Sequence, residues 1–250
     1  MKIDEVNSLK DHTNELDSDV LIQFVHELRS PLHCVLSFTD SILRKSESVS
    51  RDRMVSYLKE VNKSGMQCLT LVNEMMEMKK NSVKSNNFNI KKADISAILK
   101  RVVNQMKSVI DDKKISISWD CPDEVFMAKV DEKMLTRVVI NLLSNALKFT
   151  PENKKISINV EKINSFTEVM VTISDEGVGI CEEELEIIFE EYRMGSNVES
   201  DGLGLGLSIC KNIINAHNGK VWAENNENGG ASIKFIVPLV VIESDLEITK

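Results

Sequence analysis

Glycine is nearly absent from most of this chain. Of ten glycines in 250 residues, only Gly65 precedes residue 177, and the other nine lie between Gly177 and Gly230. Long helices exclude glycine, which costs up to about 1 kcal/mol relative to alanine in a helix interior. Loops that pass close to a ligand favour it. Also missing is any run near the roughly 20 apolar residues needed to cross a bilayer. The start, Met1-Lys2-Ile3-Asp4-Glu5, is polar and acidic, unlike a signal peptide. The five cysteines (Cys34, Cys68, Cys121, Cys181, Cys210) are scattered, with no Cys-x-x-Cys pair. That argues against a disulfide framework and a structural zinc site, and for a reducing, cytoplasmic compartment. The net charge of −8 lacks the basic footprint of a general nucleic-acid binder.

What is present divides the chain into a helical first part and a mixed second part. The polar run Lys79-Lys80-Asn81-Ser82-Val83-Lys84-Ser85-Asn86-Asn87 is the expected hinge. The expected organisation is a helical extension over 1–20, a hairpin over 21–84, a second domain over 88–240 and a tail over 241–250. In the hairpin, Leu21, Val25, Leu28, Leu32, Val35, Thr39 and Ile42 carry a heptad-like spacing, and Met54, Leu58, Val61, Gly65, Cys68, Val72 and Met75 repeat it. Both match packed antiparallel helices with a turn at 46–50. Ile22, Leu36, Leu43, Leu69, Leu71 and Met76 widen each stripe beyond a two-helix seam. One hairpin cannot cover that surface, so a dimeric four-helix bundle is expected, with a monomeric hairpin packed on the second domain as the alternative.

Residues 24–32 read Phe24-Val25-His26-Glu27-Leu28-Arg29-Ser30-Pro31-Leu32. His26 follows a seam position, so it points outward, beside the Glu27 carboxylate. Pro31 lacks an N–H and is expected to bend the helix just past it. A metalloprotease motif would need histidine where the chain has Ser30. A metal shared with His33 fails too, because seven residues separate the two by about 10 Å along the axis. An inert surface histidine stays open for His26 taken alone. A phosphate acceptor also fits, and it demands an ATP site elsewhere in the chain.

In the second part, Asp94 is placed to cap a helix to about Asp111, and Asp131 a second helix to about Phe149. Strands are expected at 115–119, with 125–130 as its hairpin partner, then at Lys155–Ile163, 168–174, 220–224 and Ala231–Pro238. This grouping suggests helices on one face of a mixed, mainly antiparallel sheet, so the fold class is α followed by α+β.

Asn141, Asn145 and Lys148 share one face of the second helix. Asparagine oxygens are hard ligands suited to Mg²⁺ and a nearby lysine suits phosphate, though a solvated polar face gives the same pattern. Asp175-Glu176-Gly177-Val178-Gly179-Ile180 follows a strand. The aspartate can accept from an amino group, and the glycines let backbone pass close to a flat ring, but ordinary turns share this pattern. Gly202-Leu203-Gly204-Leu205-Gly206-Leu207 is not a dinucleotide fingerprint, which needs glycine at 207, nor a Walker loop. Glycines leading into an amphipathic helix aim free N–H groups at a phosphate. The polar stretch 190–203 suits a mobile lid.

Together these residues closely resemble the catalytic core of two-component sensor histidine kinases. Residues 24–32 resemble its phosphoacceptor box, 141–150 its asparagine box and 175–180 its first glycine box. Ile188-Phe189-Glu190-Glu191-Tyr192-Arg193 resembles the phenylalanine box, and 202–207 the second glycine box. The five motifs fall in the family's order, over about residues 16 to 240. The resemblance implies a dimerization and histidine-phosphotransfer hairpin followed by the α/β sandwich ATP-binding fold shared with gyrase and MutL. It implies that His26 attacks the γ-phosphate of ATP while Glu27 takes the proton from the other ring nitrogen. It also implies that Asn145 and Asn141 hold Mg²⁺ and that Lys148 and Arg193 contact phosphate. Asp175 would bind the adenine amino group in a pocket shaped by Gly177 and Gly179, with Gly202, Gly204 and Gly206 as the lid hinge.

The implied partners are a second copy of the chain and the receiver domain of a response regulator, whose aspartate takes the phosphoryl group. The family commonly has threonine where this chain has Ser30. Serine keeps the hydroxyl with which members position water to dephosphorylate that partner. At 141, related gyrase-type ATPases carry a water-activating glutamate, so Asn141 favours transfer over hydrolysis. Residues Val6, Leu9 and Leu16 fit a signalling helix continuing from a sensor, which would be the route to any membrane. Two other classes stay open: a gyrase- or MutL-type ATPase, and a dimeric scaffold that binds nucleotide without transfer.

Overall fold

The structure is a computed structural model describing residues 3–44, 49–82, 88–122, 124–164, 167–191, 193 and 204–240; of 3–20, 23, 70, 73, 74 and 77–82 it describes the backbone alone. Two compact units divide at 86/87. Among the described residues, no helix is long and apolar enough to cross a membrane.

The first unit is two long helices, α1 (Ile3–Arg44) and α2 (Arg51–Ser82). Their heptad-spaced apolar residues meet along one side only. Phe38 and Tyr57 stack with ring centroids 5.3 Å apart and fix the register. Continued antiparallel from that pair, the register sets Pro31 opposite Ser64 and Phe24 opposite Leu71, all four buried. Helix α1 is unbroken across Pro31, where a bend was expected. The inward face is therefore rotated from the expected seam. Leu21, Val25, Leu32, Leu58 and Val72, read as seam residues, are exposed, together with Leu36, Leu43, Leu69 and Met76. Two faces compete for the apolar residues, and their spacing alone does not say which one a single hairpin covers. The expected hinge is also later than drawn: α2 runs on through residues 79–82, and 83–87 lie outside the described residues, as does most of the 46–50 turn.

In the second unit, β1 (Lys91–Asp94) leads into α3 (Ile95–Gln105), which breaks at Met106 before the short α4 (Lys107–Asp112). The single helix expected to reach Asp111 is thus two. Asp94 caps α3 by accepting from the Ser96 N–H at 3.0 Å. Then follow β2 (Ser116–Asp120), β3 (Met127–Val130), α5 (Glu132–Phe149), β4 (Lys155–Ile163), β5 (Glu168–Asp175), α6 (Gly206–Ala216), β6 (Lys220–Asn225) and β7 (Ala231–Pro238).

The main sheet has the order β2-β4-β5-β7-β6, with β2–β4 parallel and every other pair antiparallel. One strand pairing departs from expectation. Strand β3 is not the hairpin partner of β2; it pairs antiparallel with β1 in a separate two-stranded ribbon. The loop between β2 and β3 carries Pro122, and β2 instead takes the free edge of β4, setting Ile117 beside Ile156. Alternate residues of β4, β5 and β7 turn inward, burying Ile156, Ile158, Val160, Val171, Ile173, Phe235 and Val237 beneath Leu99, Leu135, Leu142 and Leu143 of the helices.

Candidate functional site

Helix α5 is fixed at both ends. At its start, Oδ1 of Asp131 accepts from the N–H groups of Lys133 (3.0 Å) and Met134 (3.2 Å), while Oδ2 accepts from that of Asn89 (2.9 Å). Burial alone would raise the Asp131 pKa, but these three backbone donors outweigh it and hold the carboxyl below its usual range. At the far end, Nζ of Lys113 donates to the Leu147 carbonyl at 2.6 Å. Between these anchors the apolar side of α5 is buried, and Asn141 and Asn145 lie half-buried one turn apart, with Lys148 exposed and 5.4 Å from the Phe149 ring centroid.

Asp175 ends β5 and is 9% exposed. Its Oδ1 accepts from the N–H groups of Gly177 (2.8 Å) and Ala231 (3.2 Å), and its carbonyl accepts from Nδ2 of Asn226 at 2.9 Å. Both bonds to the carboxylate fall on Oδ1, which leaves Oδ2 for a ligand. Burial pushes the Asp175 pKa up, against the two backbone hydrogen bonds that lower it. Gly177 has no room for a side chain: a Cβ there would sit 2.6 Å from the Phe149 carbonyl oxygen and 2.7 Å from Asp175 Oδ1. Backbone thus passes directly over the end of α5. Gly179 takes φ +75°, and the next residue, Ile180, is pinned both ways by Asn225, whose Oδ1 accepts from its N–H (2.9 Å) and whose Nδ2 donates to its carbonyl (2.7 Å).

Gly206 opens α6, which has no side-chain cap. Its first-turn N–H groups are those that a helix start offers to an anion. Asn141 Nδ2 donates to the Gly206 carbonyl at 3.3 Å, joining the asparagine face to this helix start. Cys210 lies beneath, its thiol pushed up to about 12 by burial and therefore inert. Gly204 takes φ +67°, and a Cβ there would lie 2.7 Å from the Arg193 carbonyl oxygen. Arg193 itself is exposed, with Nε 3.3 Å from Glu190 Oε2. Ile188 and Phe189 are buried. Gly202 and the 194–203 stretch of the expected lid lie outside the described residues.

In the first unit, His26 and Ser30 are exposed on α1 and Glu27 is half-buried. The structure therefore joins Asn141 to Gly206, Asp175 to Gly177 and the end of α5, and Arg193 to Gly204. Sequence reasoning missed Asn225, Asn226, Gly230 and Ala231, which hold the Asp175 loop. The run Asn225-Asn226-Glu227-Asn228-Gly229-Gly230 reads as a hairpin turn, and nothing in it says that the turn faces Asp175. A Cβ at Gly230 would meet the Asp175 carbonyl oxygen at 2.0 Å.

The chain matches known proteins over both parts of this description. Residues 130–241 match the family described as Histidine kinase-, DNA gyrase B-, and HSP90-like ATPase. The residues present fit the nucleotide that such a fold implies: Gly177 leaves no side chain beside Asp175, both backbone bonds to the Asp175 carboxylate use Oδ1, and α6 offers an uncapped start. The sensor protein KdpD of Clostridium acetobutylicum is 32% identical over 95% of this chain and 26% of its own length. The chain spans less than two thirds of several other curated relatives as well. The solved catalytic domain of histidine kinase ThkA is 32% identical over 60% of this chain and 95% of that domain, with a TM-score of 0.55. ThkA in complex with the response regulator protein TrrA is 25% identical over 96% of this chain and 67% of that one, with a TM-score of 0.71. The second unit is thus a nucleotide-binding domain of the gyrase–kinase ATPase class. The chain as a whole belongs to the histidine kinase family.

Proposed function

We propose that this chain is the core of a two-component histidine kinase, which phosphorylates His26 from Mg-ATP and passes the phosphoryl group to an aspartate of a response-regulator receiver domain. The observation that carries this reading is one chain holding both an exposed histidine on a helical hairpin and, in its second unit, an Asp175 carboxylate bonded through Oδ1 alone beside Gly177. Asp175 Oδ2 receives the adenine amino group over Gly177 and beside Gly179. Lys148, Arg193 and the glycines Gly202, Gly204 and Gly206 surround the phosphates. Asn145 and Asn141 hold Mg²⁺, which neutralises phosphate charge when bound.

Neutral His26 attacks with the lone pair of one ring nitrogen, and Glu27 accepts the proton from the other. A phosphorus–nitrogen bond forms as the bond between the β-phosphate oxygen and the γ-phosphorus breaks, releasing ADP. The chain contributes positioning and charge neutralisation, the main sources of catalysis in phosphoryl transfer. At position 141 an asparagine cannot act as the base for hydrolysis, which favours transfer. Exposure of the Ser30 hydroxyl one turn beyond His26 supports a second role, orienting water when the phosphorylated regulator is dephosphorylated.

The working form is a homodimer in the cytoplasm. Its interface is the apolar face left uncovered in one hairpin (Leu36, Leu43, Leu69, Met76), and open space around Gly65 allows close approach there. Incubation with γ-labelled ATP tests the reading. Acid-labile label is retained on the protein and lost in His26→Gln, whereas free phosphate with unlabelled protein would point to a gyrase-type ATPase.

A further inference from the structure

Helices α5 and α6 run antiparallel, and a histidine outside every motif named above ties them together. His217 caps the end of α6 and is 3% exposed. Its Nε2 lies 2.8 Å from the Asp131 backbone nitrogen, and its Nδ1 lies 2.7 Å from the Ile213 carbonyl oxygen. One state satisfies both contacts: a neutral ring with its proton on Nδ1, donating to Ile213 and accepting the Asp131 N–H. The other tautomer would face N–H against N–H at one end and lone pair against lone pair at the other. Phe88 closes the pocket edge-on, its ring centroid 5.4 Å from that of the imidazole.

The second tie between these helices is the bond from Asn141 to the Gly206 carbonyl at 3.3 Å, with a long contact from the Cys210 thiol to the Val138 carbonyl at 3.9 Å. These ties set the axial register of α5 against α6. That register matters because the asparagine face sits on α5, while the phosphate-facing start belongs to α6. Under the function proposed above, on which this inference rests, the Asn141 amide serves two partners, its oxygen the metal and its Nδ2 the Gly206 carbonyl. His217 links the two helices at the opposite end, away from the metal and the phosphates.

We infer that His217 is a positioning residue for the nucleotide site, locking the start of α5 to the end of α6 through its Nδ1-protonated ring. The binding of Mg-ATP to the 250-residue chain tests this by calorimetry, without reliance on phosphoryl transfer. His217→Ala is expected to bind about tenfold more weakly. His217→Gln, whose amide presents a donor and an acceptor in one plane, recovers most of that loss. In kinetics the alanine variant raises KM for ATP and leaves kcat close to the wild-type value, whereas a merely structural role would lower the active fraction at unchanged KM. Equal affinity in wild type and His217→Ala, or no recovery in His217→Gln, overturns the inference. If His217→Ala does not fold, the ¹⁵N spectrum of the wild-type ring decides: an Nδ1–H tautomer kept on adding Mg-ATP supports it, and an Nε2–H tautomer overturns it. Failure of the wild type itself to bind Mg-ATP would instead overturn the proposed function.

Discussion

The two units bury their apolar residues in opposite ways. Among the described residues of the hairpin, only Phe24 and Leu71 are buried hydrophobics, while Leu21, Leu32, Leu36, Leu43, Leu58 and Leu69 stay exposed. The second unit closes on itself, with Ile98, Leu99, Leu142, Leu143, Ile156 and Phe235 no more than 2% exposed. A helix pair has one shared seam, and any further apolar residue must find another partner. A sheet under a helical layer has a whole inner face to fill. The second unit therefore closes its own core, whereas the hairpin leaves open the apolar surface assigned above to the proposed homodimer.

The largest effect that would break this contrast is on assembly. Leu36→Glu with Leu69→Glu removes two leucines from the open face of each copy, at about 1.5–3 kcal/mol per leucine. The dimer dissociation constant is expected to rise by at least about four orders of magnitude in sedimentation experiments, with Mg-ATP affinity unchanged. A variant that stays dimeric would place the interface elsewhere.

Next comes the closed core. Leu143→Ala is expected to cost about 3 kcal/mol, because the site is fully packed and cannot collapse around the void. Calorimetry should show the transition of the second unit falling while that of the hairpin stays in place. A shared fall in both would mean that the units unfold together.

Asp175→Asn separates binding from stability within the second unit. Asparagine keeps Oδ1 for Gly177 and Ala231 but turns an amide towards the adenine amino group. Nucleotide affinity is expected to drop about a hundredfold, near 2.7 kcal/mol. The sign on stability is opposite. The folded-state pKa of Asp175 is raised, so its contribution to folding is full below the unfolded carboxyl pKa and is lost as pH rises through the folded value. The neutral variant should therefore match or exceed the wild type in denaturant midpoint at pH 7, an advantage that vanishes in acid. A destabilised variant with intact affinity would contradict both halves.

The smallest expected effect is at the cap. Asp131→Ala removes the acceptor used by Lys133, Met134 and Asn89, at about 1–2 kcal/mol at neutral pH. Here the folded pKa is depressed, so the stabilisation is present above the unfolded carboxyl value and is lost as pH falls through the folded one. The gap between wild type and variant, measured by urea unfolding, should close in acid. A gap independent of pH would assign the effect to packing alone.

Much of this was legible because the signals are local. Asp131 before an apolar-periodic run reads as a cap, and α5 begins at the next residue. Lys155–Ile163 and Ala231–Pro238 alternate with period two and form strands over those bounds. The pairing of β3 with β1 was not legible. A strand's alternation says which face is buried, never which neighbour it meets, and the short β1 offers only four residues of pattern. The hairpin's inward face is not legible for a related reason, since both faces of each helix carry apolar residues at heptad spacing.

The candidate site shows the same boundary. Asn141, Asn145, Lys148, Asp175 and Gly177 announce themselves by spacing within one segment, because a helix turn or a tight loop fixes what lies three or four residues away. Asn225 on Ile180, Asn226 on Asp175 and His217 on Asp131 are contacts across 45, 51 and 86 residues. The chain's own pattern determined its helices, most of its strands, its two-part organisation and the residue types offered to a nucleotide. Tertiary structure alone decided which face of the hairpin turns inward, which strands pair, and that the carboxylate of Asp175 is held through Oδ1 by Gly177 and the distant Ala231. Local propensity acts over a turn or a pleat, whereas these choices are settled by which distant groups bury or satisfy one another once the chain has closed.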